Sequence, residues 1–160
     1  MVFSDGEMAE LSSFWDYAGF YDGEVVDASR PLEIKGPVVK TALSSSVSLE
    51  PTLCKVEYHE TLKPMEVIKR EDSVILDFGQ NHGGVPVINT SFMEKGSTVK
   101  VRSAEILDKN GDLYRGNLRK AKSTILYTKG DYEGEYIPPF TYMGYRYLEI
   151  SGVDYREGMI

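Results

Sequence analysis

Thr98-Val99-Lys100-Val101-Arg102-Ser103-Ala104-Glu105-Ile106-Leu107 is the stretch that decides the fold. Val99 and Val101 alternate with Lys100 and Arg102, the period-2 pattern of a strand with one dry face and one wet face. Turn signals bracket it: Glu94-Lys95-Gly96 before, and Asp108-Lys109-Asn110-Gly111-Asp112 after. The same rhythm continues outward. Val38–Leu49, Cys54–Leu62, Met65–Arg70, Val74–Phe78 and Val85–Phe92 precede it, and Ser123–Thr128, Tyr132–Ile137 and Tyr145–Ile150 follow. Short strands at roughly ten-residue spacing, with no long helical pattern, predict an all-β fold, an antiparallel β-sandwich of the jelly-roll type. Residues 1–30 differ: Phe14, Trp15, Tyr17, Phe20 and Tyr21 crowd between glycines. Irregular structure is expected there, with a short helical turn near Glu7–Phe14. Pro31, Gly36 and Pro37 mark a junction, so residues 1–36 are set apart from a sandwich over 37–160.

Charge follows the same division. The chain carries 25 acidic and 18 basic residues, net −7, and residues 1–60 hold 11 of the acidic residues but only 4 of the basic ones. The remainder is neutral, so the first part has a different origin or partner. Nucleic acid needs clustered Lys and Arg over the domain and is excluded as a partner. No basic amphipathic stretch or long apolar run suggests a membrane, no signal peptide stands in the chain, and a cytoplasmic address is expected. The one cysteine, Cys54, excludes an internal disulfide or Cys-based zinc site, and its alternation with Val56 and Tyr58 reads as a buried strand position. No metal or other cofactor is expected. His59 has no partner spacing and reads as a surface strand residue.

Several constellations admit two readings. Asp108–Asp112 offers hard oxygens, but the spacing fails for an EF-hand, because Gly111 stands fourth and Arg119 twelfth. A tight turn with Asn110-Gly111 fits better. Gln80, Asn81 and His82 follow an apolar strand, with Gly79 and then Gly83-Gly84 around them. They either hydrogen-bond a sugar or neighbouring domain, or satisfy backbone groups at a corner, and the second is the simpler reading. Glu105 lies upstream of Asn117 and Arg119. It reads as one half of an ion pair with Arg119 more readily than as half of a glycosidase carboxylate pair, which needs a second carboxylate across a cleft. Phe140–Tyr147 is dense in aromatics around Gly144 and Arg146; Tyr142 and Tyr145 either stack on a sugar or pack at a strand corner. No Ser-His-Asp arrangement, HExxH, P-loop or dinucleotide fingerprint occurs.

Taken in order, Asp77-Phe78-Gly79-Gln80-Asn81, Ala104-Glu105-Ile106-Leu107-Asp108 with Gly111 and Leu113-Tyr114, Asn117-Leu118-Arg119, Ala121, Thr124, Tyr127, Pro139-Phe140-Thr141-Tyr142 and Gly144-Tyr145-Arg146-Tyr147 resemble the concanavalin-like β-sandwich domain of bacterial α-L-rhamnosidases. The resemblance covers about Pro64 to Gly152. Tyr21-Asp22-Gly23-Glu24 with Asp27-Ala28 looks like the tail of that family's preceding N-terminal domain, so residues 1–36 are expected to be its remnant or a linker. This sequence has Val85 where the family commonly has an aromatic, Ser103 where it often has His, Gly116 where it often has Glu, and Ile125 near an Asp usual in the family. The resemblance implies an inverting glycosidase as parent, with its catalytic carboxylates in a downstream α/α barrel. It therefore implies no catalytic residue here and a chain inactive by itself. The expected role is accessory: packing on the catalytic domain and helping shape its cleft through Gln80, Asn81, Glu105, Asn117, Arg119, Tyr142 and Tyr145. The rival is an independent binding module for rhamnose-containing glycans, with Tyr142 and Tyr145 as stacking platforms. A third reading makes the chain a loop donor to the parent's active site.

Overall fold

A computed structural model describes residues 2–4, 7–11, 13–37, 46, 48, 50, 51 and 57–160. The strands are β1 (Val2–Ser4), β2 (Glu7–Leu11), β3 (Trp15–Gly19), β4 (Gly23–Asp27), β5 (Ile34–Pro37), β6 (Glu66–Lys69), β7 (Ser73–Gly84), β8 (Ile88–Asn89), β9 (Thr98–Ala104), β10 (Ile106–Leu107), β11 (Leu113–Tyr114), β12 (Thr124–Thr128), β13 (Glu135–Tyr136) and β14 (Met143–Ser151). The only helical pieces among the described residues are 3-10 turns at Thr90–Phe92 and Gly116–Leu118.

The chain gathers into two compact units, one of residues 1–12 with 32–62 and one of 13–31 with 63–160. In the first, β1, β2 and β5 form a three-stranded antiparallel sheet. Glu7–Leu11 is thus a strand and not the expected helical turn: pairing with two neighbours outweighs a weak local preference. Of the expected strands nearby, most of Val38–Leu49 and the first part of Cys54–Leu62, with Cys54 itself, lie outside the described residues. Residues 57–62 carry no regular structure, and His59 is exposed but not in a strand.

The second unit is a β-sandwich of the expected all-β class. Its main sheet has seven strands in the order β3-β4-β12-β9-β14-β7-β6. Every pairing is antiparallel except β4 with β12, which run parallel from Gly23↔Thr124 to Asp27↔Thr128. The irregular structure expected for residues 1–30 is therefore corrected over 15–27. These residues form a hairpin that extends the sheet, and β4 has a hydrogen-bonded strand on each side.

Alternation does the sorting that the sequence implied. Val26, Ile125, Tyr127, Val99, Val101, Leu148, Ile150, Leu76 and Phe78 share one face and are buried. The smaller β8–β13 pair covers that face: the Tyr136 ring stacks on Tyr127 at 4.4 Å, and Ile88, Met93 and Met159 are buried with it. Glu24 is fully buried there, accepting hydrogen bonds from Trp15 Nε1 (2.8 Å), the Tyr136 hydroxyl (2.5 Å) and the Phe140 amide (2.7 Å). Those donors join β3, β13 and the approach to β14 through one carboxylate. Burial and the Glu24 carboxylate push the Tyr136 hydroxyl well above its ordinary value.

The other face carries charge. Arg102 pairs with Glu149 across β9 and β14, and a hairpin of β10 and β11 lies toward this side, tied by Arg70 donating to the Gly111 carbonyl. Gly111 takes φ +80°, as the turn reading requires. The Asp108 carboxylate is spent on that turn, accepting from the Asn110 amide at 2.8 Å and the Asp112 amide at 3.0 Å.

Candidate functional site

Register brings the polar signature residues to one end of the main sheet. At that end β4 and β12 begin, β9 finishes, and Met143–Tyr145 pair with His82–Gly84. The β3–β4 turn, the loop of residues 115–123 and the approach to β14 complete the rim. Hydrogen bonds bind these parts: the Ser123 amide donates to the Tyr21 carbonyl (3.1 Å), the Lys122 amide to Asp22 Oδ1 (3.0 Å), and the Thr141 hydroxyl to the Phe20 carbonyl (2.9 Å). Asp22 also accepts from the Tyr17 hydroxyl at 2.7 Å, and that bond, with the Lys122 amide, holds its carboxyl below the usual range.

Gln80 and Asn81 lie on the outer part of β7 and are exposed. Neither side chain satisfies a backbone group among the described residues; of the three corner candidates only His82 does, its Nδ1 lying 3.3 Å from the Gln80 carbonyl. Capping there falls to Asp77, whose Oδ1 accepts from the Gly79 amide at 2.6 Å where Gly79 takes φ +78°. Arg146 grips both oxygens of Asp77, each at 2.8 Å. That fork, helped by the Gly79 amide, holds the Asp77 carboxyl below its ordinary value.

Glu105 sits exposed between β9 and β10, with Asn117 Nδ2 donating to its Oε2 at 3.1 Å. The expected Glu105–Arg119 ion pair is not formed. Arg119 closes the 3-10 turn with φ +56°, and the Glu105 carboxylate takes Asn117 as its partner instead. Arg119 is exposed and pairs with no carboxylate among the described residues.

The two candidate tyrosines part company. Tyr145 is 3% exposed and packs against His82 (4.3 Å) and Phe78 (5.6 Å), so it presents no free ring face within this unit. Burial pushes its hydroxyl up to about 12. Tyr142 is 49% exposed and meets the Phe20 ring edge-on at 4.7 Å. Phe20 in turn meets Tyr21 at 5.1 Å, and both are more than half exposed.

Phe20, Tyr21 and the clamp at Asp22 were missed by sequence reasoning. The signal that finds them is Asp22-Gly23 between two apolar stretches, a hairpin marker. Among the described residues no group of three or more His, Cys, Asp or Glu could hold a metal ion, and no helix is long and apolar enough to cross a membrane.

Fold and rim together define an all-β sandwich domain whose polar and aromatic signature residues gather at one sheet end. The chain belongs to the family described as the bacterial alpha-L-rhamnosidase concanavalin-like domain, whose model matches residues 68–159. It is 36% identical over 147 residues to an alpha-L-rhamnosidase of Formosa agariphila, a match covering 84% of this chain and 16% of the relative. It is 36% identical over 151 residues to one from an Alteromonas strain, again 16% of the relative. Among solved structures, the alpha-L-rhamnosidase of Streptomyces avermitilis complexed with L-rhamnose superposes with a TM-score of 0.70 at 27% identity, over 91% of this chain and 15% of that one. The alpha-L-rhamnosidase from Dictyoglumus thermophilum gives 0.68 at 30%, over 92% and 18%. The chain thus spans about one sixth of the length of the relatives it matches.

Proposed function

We propose that this chain is an accessory, non-catalytic part of an α-L-rhamnosidase, which packs against the catalytic domain and helps shape its substrate cleft. The observation that carries this reading is the gathering of Gln80, Asn81, Glu105, Asn117, Arg119 and Tyr142 at one sheet end, exposed and bound only weakly to their own domain. Loops at the end of a rigid sandwich are where such domains make contact with others.

The test is the pair Asn117→Ala and Arg119→Ala in the enzyme that carries this chain. Loss of thermal stability, with or without loss of turnover, is the expected result. Wild-type stability and activity in both variants would sink the proposal. The rival, a module that binds rhamnose-containing glycans independently, draws support from the exposure of Tyr142. Amide NMR shifts that saturate at millimolar L-rhamnose and map to Tyr142 are its signature.

A further inference from the structure

The rim carries more than the polar signature. Arg115, Arg119, Lys120 and Lys122 place four cations within eight residues, and that stretch contains no carboxylate, in a chain whose net charge is −7. The loop is held in shape. Arg115 reaches across it to the Lys122 carbonyl, the Ala121 amide donates to the Leu118 carbonyl at 3.0 Å, and the Lys122 amide is fixed on Asp22. Lys122 lies over the Tyr17 ring at 5.2 Å. Among the described residues Arg119, Lys120 and Lys122 form no salt bridge, although seven other cations of the chain do; the Lys122 charge acts on Asp22 from farther off. The two carboxylates nearest the loop are occupied: Asp22 by Tyr17 and Lys122, Glu105 by Asn117.

Directly beside this loop, joined by the Ser123–Tyr21 hydrogen bond, stand the exposed rings of Phe20 (55%), Tyr21 (67%) and Tyr142 (49%). The rings meet edge-to-face, at 81° and 69°. An edge-to-face cluster offers a ridged apolar surface. Exposed aromatic rings with an Arg beside them are enriched in protein-docking patches, and charges at the rim of such a patch steer the partner.

Resting on the accessory reading above, we propose that the Phe20–Tyr21–Tyr142 ridge and the 115–122 loop form a single docking surface for a folded protein domain whose facing surface is apolar and rimmed with Asp and Glu. The aromatic ridge anchors, and Arg119, Lys120 and Lys122 supply charge complementarity. Such a surface predicts two separable responses, because screening acts on the cations and not on the rings.

The test places three double variants in the enzyme that carries this chain: Arg119→Glu with Lys120→Glu, Phe20→Ala with Tyr21→Ala, and the control Lys100→Glu with Lys109→Glu, two exposed cations elsewhere on the domain. Thermal unfolding is followed at about 50 mM and about 1 M NaCl. The expected result is a fall of about 3 °C or more for the rim charge reversal at low salt, largely abolished at high salt, and no comparable fall for the control. The ring variant should lower Tm at both salts. In the isolated 160-residue chain the charge reversal should leave Tm unchanged. If the rim reversal matches the control while the ring variant still destabilises, the acidic partner is overturned and the accessory reading survives. If neither rim variant acts, both fall. If the isolated chain dimerises and the charge reversal dissolves the dimer, the occupant is a second copy and the proposal is overturned.

Discussion

The two ends of the seven-stranded sheet treat charge in opposite ways. Where β4 and β12 end and β9 begins, cations meet carboxylates: Arg30 with Asp16 and Asp27, Lys95 with Asp131, and Lys129 with Glu133. At the opposite end Arg119, Lys120 and Lys122 face outward beside exposed rings. Exposed pairs such as Arg30–Asp16 and Lys95–Asp131 add little to stability, whereas Lys129 is buried and its ammonium is satisfied by Glu133. Beside the Arg146–Asp77 fork, the rim end keeps cations that form no salt bridge and an apolar ridge. The lesson is that one sheet presents a finished surface and an unfinished one, distinguishable by partner bookkeeping alone.

The largest effects should come from breaking what both ends share, the β4–β12 seam. A Cβ at Gly23 would lie 1.9 Å from the Thr124 carbonyl at φ +102°, and one at Gly130 would lie 1.9 Å from the Ala28 carbonyl. Gly23→Ala and Gly130→Ala should each destabilise the isolated chain by about 4 kcal/mol in urea unfolding. A much smaller effect at one end would mean the seam yields there.

Next comes Glu24, beneath the aromatic end. Glu24→Leu leaves the Trp15, Tyr136 and Phe140 donors without an acceptor and should destabilise by about 3 kcal/mol. Glu24→Gln keeps an acceptor oxygen and should fall between Leu and wild type.

Asp77 gives a pH-dependent test at the same end. Its folded pKa lies below the ordinary 3.8, held there chiefly by Arg146. A depressed carboxylate stabilises above its unfolded pKa, and that stability is lost as pH falls through the folded value. Asp77→Asn should therefore be less stable than wild type from neutral pH down to about 5, and the gap should close below about pH 4. A gap that does not narrow at all as pH falls below about 4 would mean shape, not charge, explains the loss.

The smallest effects sharpen the comparison most. Lys95→Ala, which removes a paired cation, and Lys120→Ala, which removes an unpaired one, should each change stability of the isolated chain by less than about 0.5 kcal/mol. Only Lys120→Ala should matter once the rest of the enzyme is present.

What the sequence made legible follows from which forces act locally. The alternation of Val99 and Val101 with Lys100 and Arg102 yields β9 because burial on one face is written at every second residue. Gly111 gives its turn for the same local reason. Trp15–Asp27 was opaque because its partner strand lies about a hundred positions away, and the alternation in Gly23–Asp27 is short and interrupted by a buried Glu24. At the rim, Gln80, Asn81, Glu105, Asn117 and Tyr142 were picked out by their resemblance and do lie at one end. The Glu105–Arg119 pairing was misjudged because Asn117, two residues before Arg119, takes the carboxylate, and residue type does not tell these two donors apart.

The parallel seam also bears on how the protein is made. β4 pairs with residues 124–128, so the β3–β4 hairpin of a growing chain is made about a hundred residues before its neighbour. At about 5–20 residues per second that wait lasts roughly 5–20 s, with Val26 and the Glu24 carboxylate exposed on a two-stranded ribbon. The domain is thus completed late and from the far side. A nascent chain stalled shortly before residue 124 should hold a protease-sensitive β3–β4 ribbon, and a chaperone that shields short apolar hairpins has its natural moment of action there.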